Sequence, residues 1–207
     1  MFSRQSRVVM IAVSVMLLGV VAYASSGLMI QSDNPITPKP DQALIVFMRL
    51  PASFGKAFLF DDYGQSVSLY ELPGTENRLI GFLKGGTKIC YEATPGEHLF
   101  MVAGEAADFM KAMVESGKIY YVLVTPRMGF WQARYSLRPL RQMNLTSAEF
   151  PHWDSETSLV EKTSASEEWA QKHAAEIENK RTRYWVVWSE KTKEQQDLQT
   201  LHLEDGR

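Results

Sequence analysis

Short apolar runs separated by turn residues dominate the middle of the chain. The run from Ala43 to Met48 is unbroken, and its length fits a strand that is buried on both faces. Glycine, proline and aspartate separate it from the similar runs that follow. We predict further strands at Lys56 to Asp61, Ser66 to Glu71, Arg78 to Leu83, Thr87 to Ala93, Glu97 to Ala103, Ile119 to Thr125 and Trp131 to Leu137. Short strands at this spacing indicate an antiparallel β-sandwich or a small barrel.

One segment of this region is ambiguous. Ala107 to Val114 has a composition that suits a helix, but its place between predicted strands favours another strand.

The dipeptide Pro95-Gly96 suits the two central positions of a type II turn. It therefore predicts a hairpin in which Ala93 lies opposite His98. Cys90 is three residues from Ala93, so the Cys90 and His98 side chains would lie on opposite faces of the sheet. This register argues against a nucleophile–base pair, and we interpret Cys90 as a buried structural thiol.

An amphipathic helix is predicted from Ser166 onward, with Ser164 or Ser166 as its cap and acidic residues in its first turn. Its apolar stripe contains Trp169, His173, Ile177, Arg181, Tyr184, Trp185 and Trp188. One interpretation is that this stripe packs on the open face of the sandwich. The other is that part of it docks a partner subunit or a membrane surface.

The amino terminus has the pattern of a membrane-targeting segment. Arg4 and Arg7 precede an apolar stretch, and Ala22-Tyr23-Ala24 fits a signal-peptidase site. The alternative is an uncleaved anchor helix, because Val8 to Ile30 is long enough to span a bilayer. In either case we expect the remainder to be exported, either periplasmic or anchored in the inner membrane with the domain outside the cytoplasm.

The resulting division has five parts. Residues 1–30 are the signal peptide or anchor. Residues 31–42 are a proline-rich linker, which is either a stiff spacer or a mature amino-terminal tail. Residues 43–140 form the β-sandwich, residues 141–163 are an irregular connection, and residues 164–207 are the carboxy-terminal helical segment. The polar end from Glu194 is expected to be a short helix or a loose tail.

Composition and motifs exclude several kinds of function. The 22 basic and 24 acidic residues form no basic patch, which argues against a nucleic-acid partner. A single cysteine cannot form an internal disulfide. The four histidines lack the spacing of a zinc site, and no phosphate-binding loop or nucleophile elbow is present. We therefore predict no catalytic residue, no metal site and no cofactor.

The middle of the chain resembles a bacterial family. The residues that carry the resemblance are Ala43 to Val46 with Arg49 and Pro51-x-Ser53-Phe54-Gly55, Ile80-Gly81-x-Leu83, Pro95-Gly96-x-His98 and Gly117-Lys118-x-Tyr120-Tyr121. They are similar to domain of unknown function 2846, whose members are mostly small exported lipoproteins. The Pro-Gly-x-His turn also resembles PEGA-type surface domains. The resemblance implies an exported β-sandwich and no activity, and the chain lacks the lipid-attachment cysteine of the family.

Two classes of function follow from these observations. The first is a non-catalytic envelope protein that binds another envelope protein at the membrane surface. The second is a module that binds a small ligand or a glycan in the periplasm. A flat aromatic patch would favour the first class, and a pocket of converging polar groups would favour the second. The candidate contact residues are Arg49, Tyr120, Tyr121, Trp169, Tyr184, Trp185 and Trp188.

We predict that residues 1–42 direct a fused reporter phosphatase, active only outside the cytoplasm, to the outer side of the membrane. The physical reason is the positive start followed by an apolar stretch. Reporter activity in intact cells is the measurement, and the reporter without residues 1–42 is the control. An inactive, cytoplasmic fusion would contradict export, and sequencing of the mature amino terminus separates cleavage from anchoring.

Overall fold

A computed structural model describes residues 27–51, 65–127 and 134–207. Most of the predicted targeting segment, the strand predicted at Lys56 to Asp61 and the first residues of the strand predicted from Trp131 lie outside these ranges. In the described ranges, no helix is long and apolar enough to cross a membrane.

Strands form in the described part of the chain where the apolar runs predict them, with shifts of a few residues at some ends. The ambiguous segment Ala107–Val114 is a strand. The strands are Met29–Gln31 (β1), Ala43–Arg49 (β2), Val67–Glu71 (β3), Arg78–Leu83 (β4), Thr87–Ala93 (β5), Gly96–Ala103 (β6), Ala107–Val114 (β7), Ile119–Arg127 (β8), Arg134–Pro139 (β9), Ser158–Lys162 (β10) and Thr200–Leu201 (β11).

The strands make two sheets that pack face to face. The first has the order β1-β10-β5-β2-β8-β9, and the second has the order β11-β7-β6-β3-β4. Side chains from both sheets fill one core, in which the rings of Phe47 and Phe100 meet at 5.3 Å. The prediction of an antiparallel arrangement is wrong, because β2–β8, β10–β5 and β11–β7 are parallel pairs. Parallel neighbours arise because the chain leaves each sheet and returns to it after a long excursion.

The hairpin predicted at Pro95-Gly96 is also wrong. Strand β5 pairs with β2 and β10, whereas β6 pairs with β3 and β7, so the chain crosses between the sheets at this turn. Gly96 has a φ of 124°, and any residue with a side chain would be strained in this conformation. The Pro-Gly dipeptide therefore predicts a sharp bend correctly. It does not predict which sheet each flanking strand joins.

Helices cover the outer faces of both sheets. They are Gln142–Leu145 (α1), Phe150–Ser155 (α2), Ser164–Lys172 (α3), Ala174–Ser189 (α4) and Lys193–Asp197 (α5), followed by a 3₁₀ turn at Leu203–Asp205. α1 and α2 contribute Leu145 and Phe150 to a cluster on the first sheet. α4 contributes Ile177 and Trp188 to a cluster on the second. The region predicted to be an irregular connection thus supplies α1, α2 and the sheet strand β10.

The predicted carboxy-terminal helix is two helices that divide at His173. The His173 ring bonds the carbonyl oxygen of Trp169 at 2.8 Å, and its backbone departs from helical geometry at a φ of −104° and a ψ of 10°. Thr163 rather than a serine occupies the cap position of α3. Ser166 is buried, and its hydroxyl donates to the carbonyl of Leu28, so it fixes the amino-terminal strand to the helix.

The segment predicted to be a spacer lies along the first sheet. Ser32 and Asn34 donate to Glu161 at 2.6 and 2.5 Å, and Lys39 pairs with Glu92 at 2.5 Å. Ile30 lies in β1, so an anchor helix cannot continue as far as this residue.

The polar carboxy terminus is part of the domain. Strand β11 adds to the edge of the second sheet beside β7. Ile119 and Arg207 exchange two backbone hydrogen bonds of 2.9 and 3.1 Å. A Cβ at Gly206 would lie 2.6 Å from the Tyr120 ring, so only glycine allows this close approach. The tail is therefore a structural element and not a loose end.

We predict that Trp188→Ala lowers the free energy of unfolding by about 3–5 kcal/mol. The indole is 2% exposed and packs on Phe109 at 6.2 Å between ring centroids. Urea denaturation is the measurement. Val187→Ala is the matched control on the same helix, because Val187 is 60% exposed and should change stability by at most about 0.5 kcal/mol. Equal effects of the two substitutions would contradict the packing of this helix on the sheet.

Candidate ligand-binding cleft

Three of the predicted contact residues are interior groups. Arg49, at the end of β2, is 2% exposed, and it donates to Gln65 O at 2.7 Å and to Tyr135 Oη at 2.8 Å. Tyr120 lies between the sheets, and Tyr121 points to the outer face, as successive strand residues must. A ligand outside the domain therefore has no access to these three side chains in this conformation.

The four helix aromatics belong to the cluster on the outer face of the second sheet. Trp188 is buried, whereas Trp169, Tyr184 and Trp185 are half-buried. Trp185 stacks on Trp188 at 5.2 Å and meets the edge of Phe109 at 5.2 Å. The structure thus separates the seven predicted residues and leaves Trp185 beside a cleft.

A buried carboxylate is the centre of the most polar cluster near this cleft. Glu71 ends β3 and is 5% exposed. It accepts hydrogen bonds from Tyr91 Oη at 2.6 Å, from His98 Nδ1 at 2.6 Å and from Arg78 Nη1 at 2.8 Å. Arg78 is opposite Glu71 in the β3–β4 register, and Tyr91 comes from the other sheet. The Glu71 carboxylate therefore links the two sheets through hydrogen bonds at the end of β3.

Both ring nitrogens of His98 face acceptors. Nδ1 lies 2.6 Å from a Glu71 oxygen, and Nε2 lies 2.7 Å from Thr94 O. The ring also stacks on Phe100 with 5.9 Å between centroids. His98 is consequently held in one orientation.

The cluster shifts the pKa values of its members. Burial acts to raise the pKa of Glu71, but hydrogen bonds from Tyr91 and His98, with the charges of His98 and Arg78, outweigh it and leave the pKa below 4.5. Burial and the bond to Glu71 raise the pKa of Tyr91 to about 12. Glu71 is thus a stable acceptor, and the Tyr91 phenol is a stable donor.

Glu71, Arg78 and His98 line one side of a cleft of about 670 Å³. Its ionisable side chains are Glu71, Arg78, Glu97, His98 and Lys111. Leu72, Leu99, Met113 and the Trp185 indole supply apolar wall. The volume lies in the range typical of small-molecule sites, and the combination of an apolar wall with a few polar groups is typical as well.

Cys90 lies away from this cluster. It is half-buried beside Val46 on the outer face of the first sheet, and His98 belongs to the second sheet. Burial raises the pKa of the thiol to about 11, which keeps it protonated. Within the described ranges, no three His, Cys, Asp or Glu side chains are grouped so that they could hold a metal ion.

Sequence reasoning missed Glu71, Arg78 and Lys111. The available signal was a pair of opposite charges at facing strand ends, Glu71 closing one apolar run and Arg78 opening the next. Assigning Tyr91 and Lys111 to the same end required the strand order, which the apolar pattern does not contain.

Comparison of the chain with protein-family models, with curated proteins and with solved structures found no match. The resemblance to domain of unknown function 2846 and to PEGA-type domains therefore stays a prediction.

We predict that Glu71→Gln destabilises the protein by about 1.5–3 kcal/mol near pH 7, through loss of hydrogen bonds to a charged acceptor. The folded pKa of Glu71 lies below 4.5, so its stabilisation is complete above the unfolded value and is lost as pH falls through the folded pKa. The stability difference between wild type and variant should therefore shrink in acid. Urea denaturation at several pH values is the measurement.

Glu168→Gln is the control for this titration. Glu168 is exposed on α3 and has no ion pair among the described residues, so its substitution should change stability little at any pH. A Glu71→Gln effect that is constant between neutral and acidic pH would show that the carboxylate charge is not the source of the stabilisation.

Proposed function

We propose that this chain is a non-catalytic binding module that takes a small hydroxyl-rich ligand, of glycan type, in the cleft beside Glu71 and Trp185. The observation that carries the proposal is the convergence of charged donors and acceptors on a cavity with an indole in its wall. Of the two classes set out from the sequence, this geometry favours ligand binding.

The polar groups of the cleft suit a ligand that both donates and accepts hydrogen bonds. Arg78 and Lys111 are donors, and the exposed Glu97 is an acceptor that has no bonded partner among the described residues. A hydroxyl can serve each of these groups, because it donates one hydrogen bond and accepts others. The half-buried indole of Trp185 supplies apolar wall to the same cleft, which suits the C–H groups of a sugar ring.

The fixed state of the cluster supports binding rather than catalysis. Both nitrogens of His98 are already bonded, and Glu71 already accepts from three side chains. A general base needs a free acceptor within reach of the proton that it removes. The same preorganisation lowers the entropic cost of binding, because the polar wall does not have to be ordered by the ligand.

Export remains part of the proposal, and its support is the amino-terminal sequence. The module would then act in the periplasm or on the outer face of the inner membrane, attached through the amino-terminal segment if that segment is retained.

Binding of an envelope protein is the second candidate function. Val186 and Val187 favour it, because these helix residues are 54% and 60% exposed beside the half-buried Tyr184.

The test is an array of neutral oligosaccharides probed with the full-length chain in mild detergent. We predict that Glu97→Gln weakens binding to any oligosaccharide retained by wild type by about tenfold, since a hydrogen bond to a charged group is lost. Glu97 is exposed, so its replacement should leave the fold intact.

Glu105→Gln is the matched control. Glu105 is an exposed glutamate at the opposite end of the β6–β7 hairpin and does not line this cleft. Its substitution should leave binding unchanged. Absence of any bound oligosaccharide, or an equal loss in both variants, would reject the proposed site.

A further inference from the structure

A second buried carboxylate organises cations at a different place in the domain. Asp108, on β7, is 2% exposed. Its Oδ2 accepts from Ser136 Oγ at 2.7 Å, from Gln199 Nε2 at 2.6 Å and from Arg127 Nη2 at 3.0 Å. Its Oδ1 accepts from Lys191 Nζ at 3.0 Å. One carboxylate therefore holds an arginine from β8 and a lysine from the end of α4 in fixed positions.

These two cations line a cleft of about 450 Å³ together with Arg138. Arg138 is exposed on the edge strand β9, and no acidic side chain pairs with it in the described ranges. Among the described residues that line the cleft there is no acid, and Asp108 is buried next to them. Three positive groups and one negative group therefore leave a local excess of two positive charges.

We propose that this cleft is a binding site for a phosphate monoester. A monoester carries a charge of about −1.5 to −2 near neutral pH, which matches the excess of two positive charges. A carboxylate, with one negative charge, would leave one cation uncompensated. The proposal is independent of the glycan cleft, which is a separate cavity with different lining residues.

The geometry favours an oxyanion with several acceptor oxygens. Arg127 binds Asp108 through Nη2, and the guanidinium fork of Arg138 has no hydrogen-bond partner among the described residues, so a phosphate can take paired N–H donors. The rest of the wall includes Leu137 and Leu198, of which Leu198 is 71% exposed, so the organic part of the ester meets apolar surface. Asp108 holds Arg127 and Lys191 in place before the ligand binds, and this lowers the entropic cost of binding.

The test measures binding of inorganic phosphate to the full-length chain in neutral detergent, at low salt and in a phosphate-free buffer, by calorimetry. Arg138→Gln should weaken the affinity about tenfold or more, because a charge-assisted contact is lost. Arg134→Gln is the matched control, since Arg134 is an exposed arginine on the same strand that does not line the cleft. Its affinity should equal that of wild type.

A second arm identifies the source of the phosphate. The chain is placed in nanodiscs of phosphatidylcholine with or without phosphatidic acid, and the phosphate titration is repeated. If phosphatidic acid competes with inorganic phosphate, the site is supported and its ligand is a lipid headgroup. If it does not compete while phosphate still binds, the site is supported and its ligand is a soluble phosphate ester. No binding by wild type, or equal weakening in Arg138→Gln and Arg134→Gln, would overturn the proposal.

Discussion

Strand β2 is buried on both faces along its whole length, and this burial sets the requirements for the rest of the fold. Its inward residues Ile45 and Phe47 are covered by the second sheet, and its outward residues Val46 and Met48 need a separate cover. Each apolar side chain transferred from water contributes about 1.5–3 kcal/mol, so an open outer face would forfeit much of the stability. The carboxy-terminal third supplies that cover with α1 and α2, and it covers the second sheet with α3 and α4. Four layers result because neither sheet has a face that can remain in water.

Three carboxylates are buried in the described part of the chain, and each has several hydrogen-bond partners. Glu71, Asp108 and Asp205 are each at most 5% exposed, and each joins segments that are distant in the chain. Glu71 connects the two sheets, Asp108 connects β7 with the end of α4, and Asp205 accepts from Arg141 and from the backbone of His202. Removing one partner of such a group leaves a buried charge uncompensated, which typically costs about 3–5 kcal/mol. The polar tail is ordered for this reason, although its composition alone is typical of a loose end.

Local pattern predicted β2 to β8 but not β1, β10 or β11, and it did not predict how the strands pair. The apolar runs at Arg78–Leu83 and Thr87–Ala93 predict the observed bounds, because burial on a sheet dictates the composition of each run. The same pattern predicts a hairpin at Pro95-Gly96 that does not form, since the edges of β5 and β6 are occupied by other strands. Strand partners depend on which long-range contacts bury most surface, and no window of sequence contains that information. The candidate cleft was missed for the same reason: Glu71 and Lys111 come together only through strand order.

The helix aromatics show how one pattern can serve two purposes. An apolar stripe predicts that a helix has a covered face, and Ile177 and Trp188 meet that expectation against the second sheet. Trp185 is in the same stripe, but it lies at the margin of the cover, where its indole joins the cleft wall beside Lys111. The core therefore fixes the orientation of a ring whose remaining surface is available to a ligand. The same relation holds at Asp108, where a buried carboxylate orients Arg127 and Lys191 at the edge of a solvent cleft. In both places, groups that the fold immobilises for its own stability also form the wall of a preorganised site.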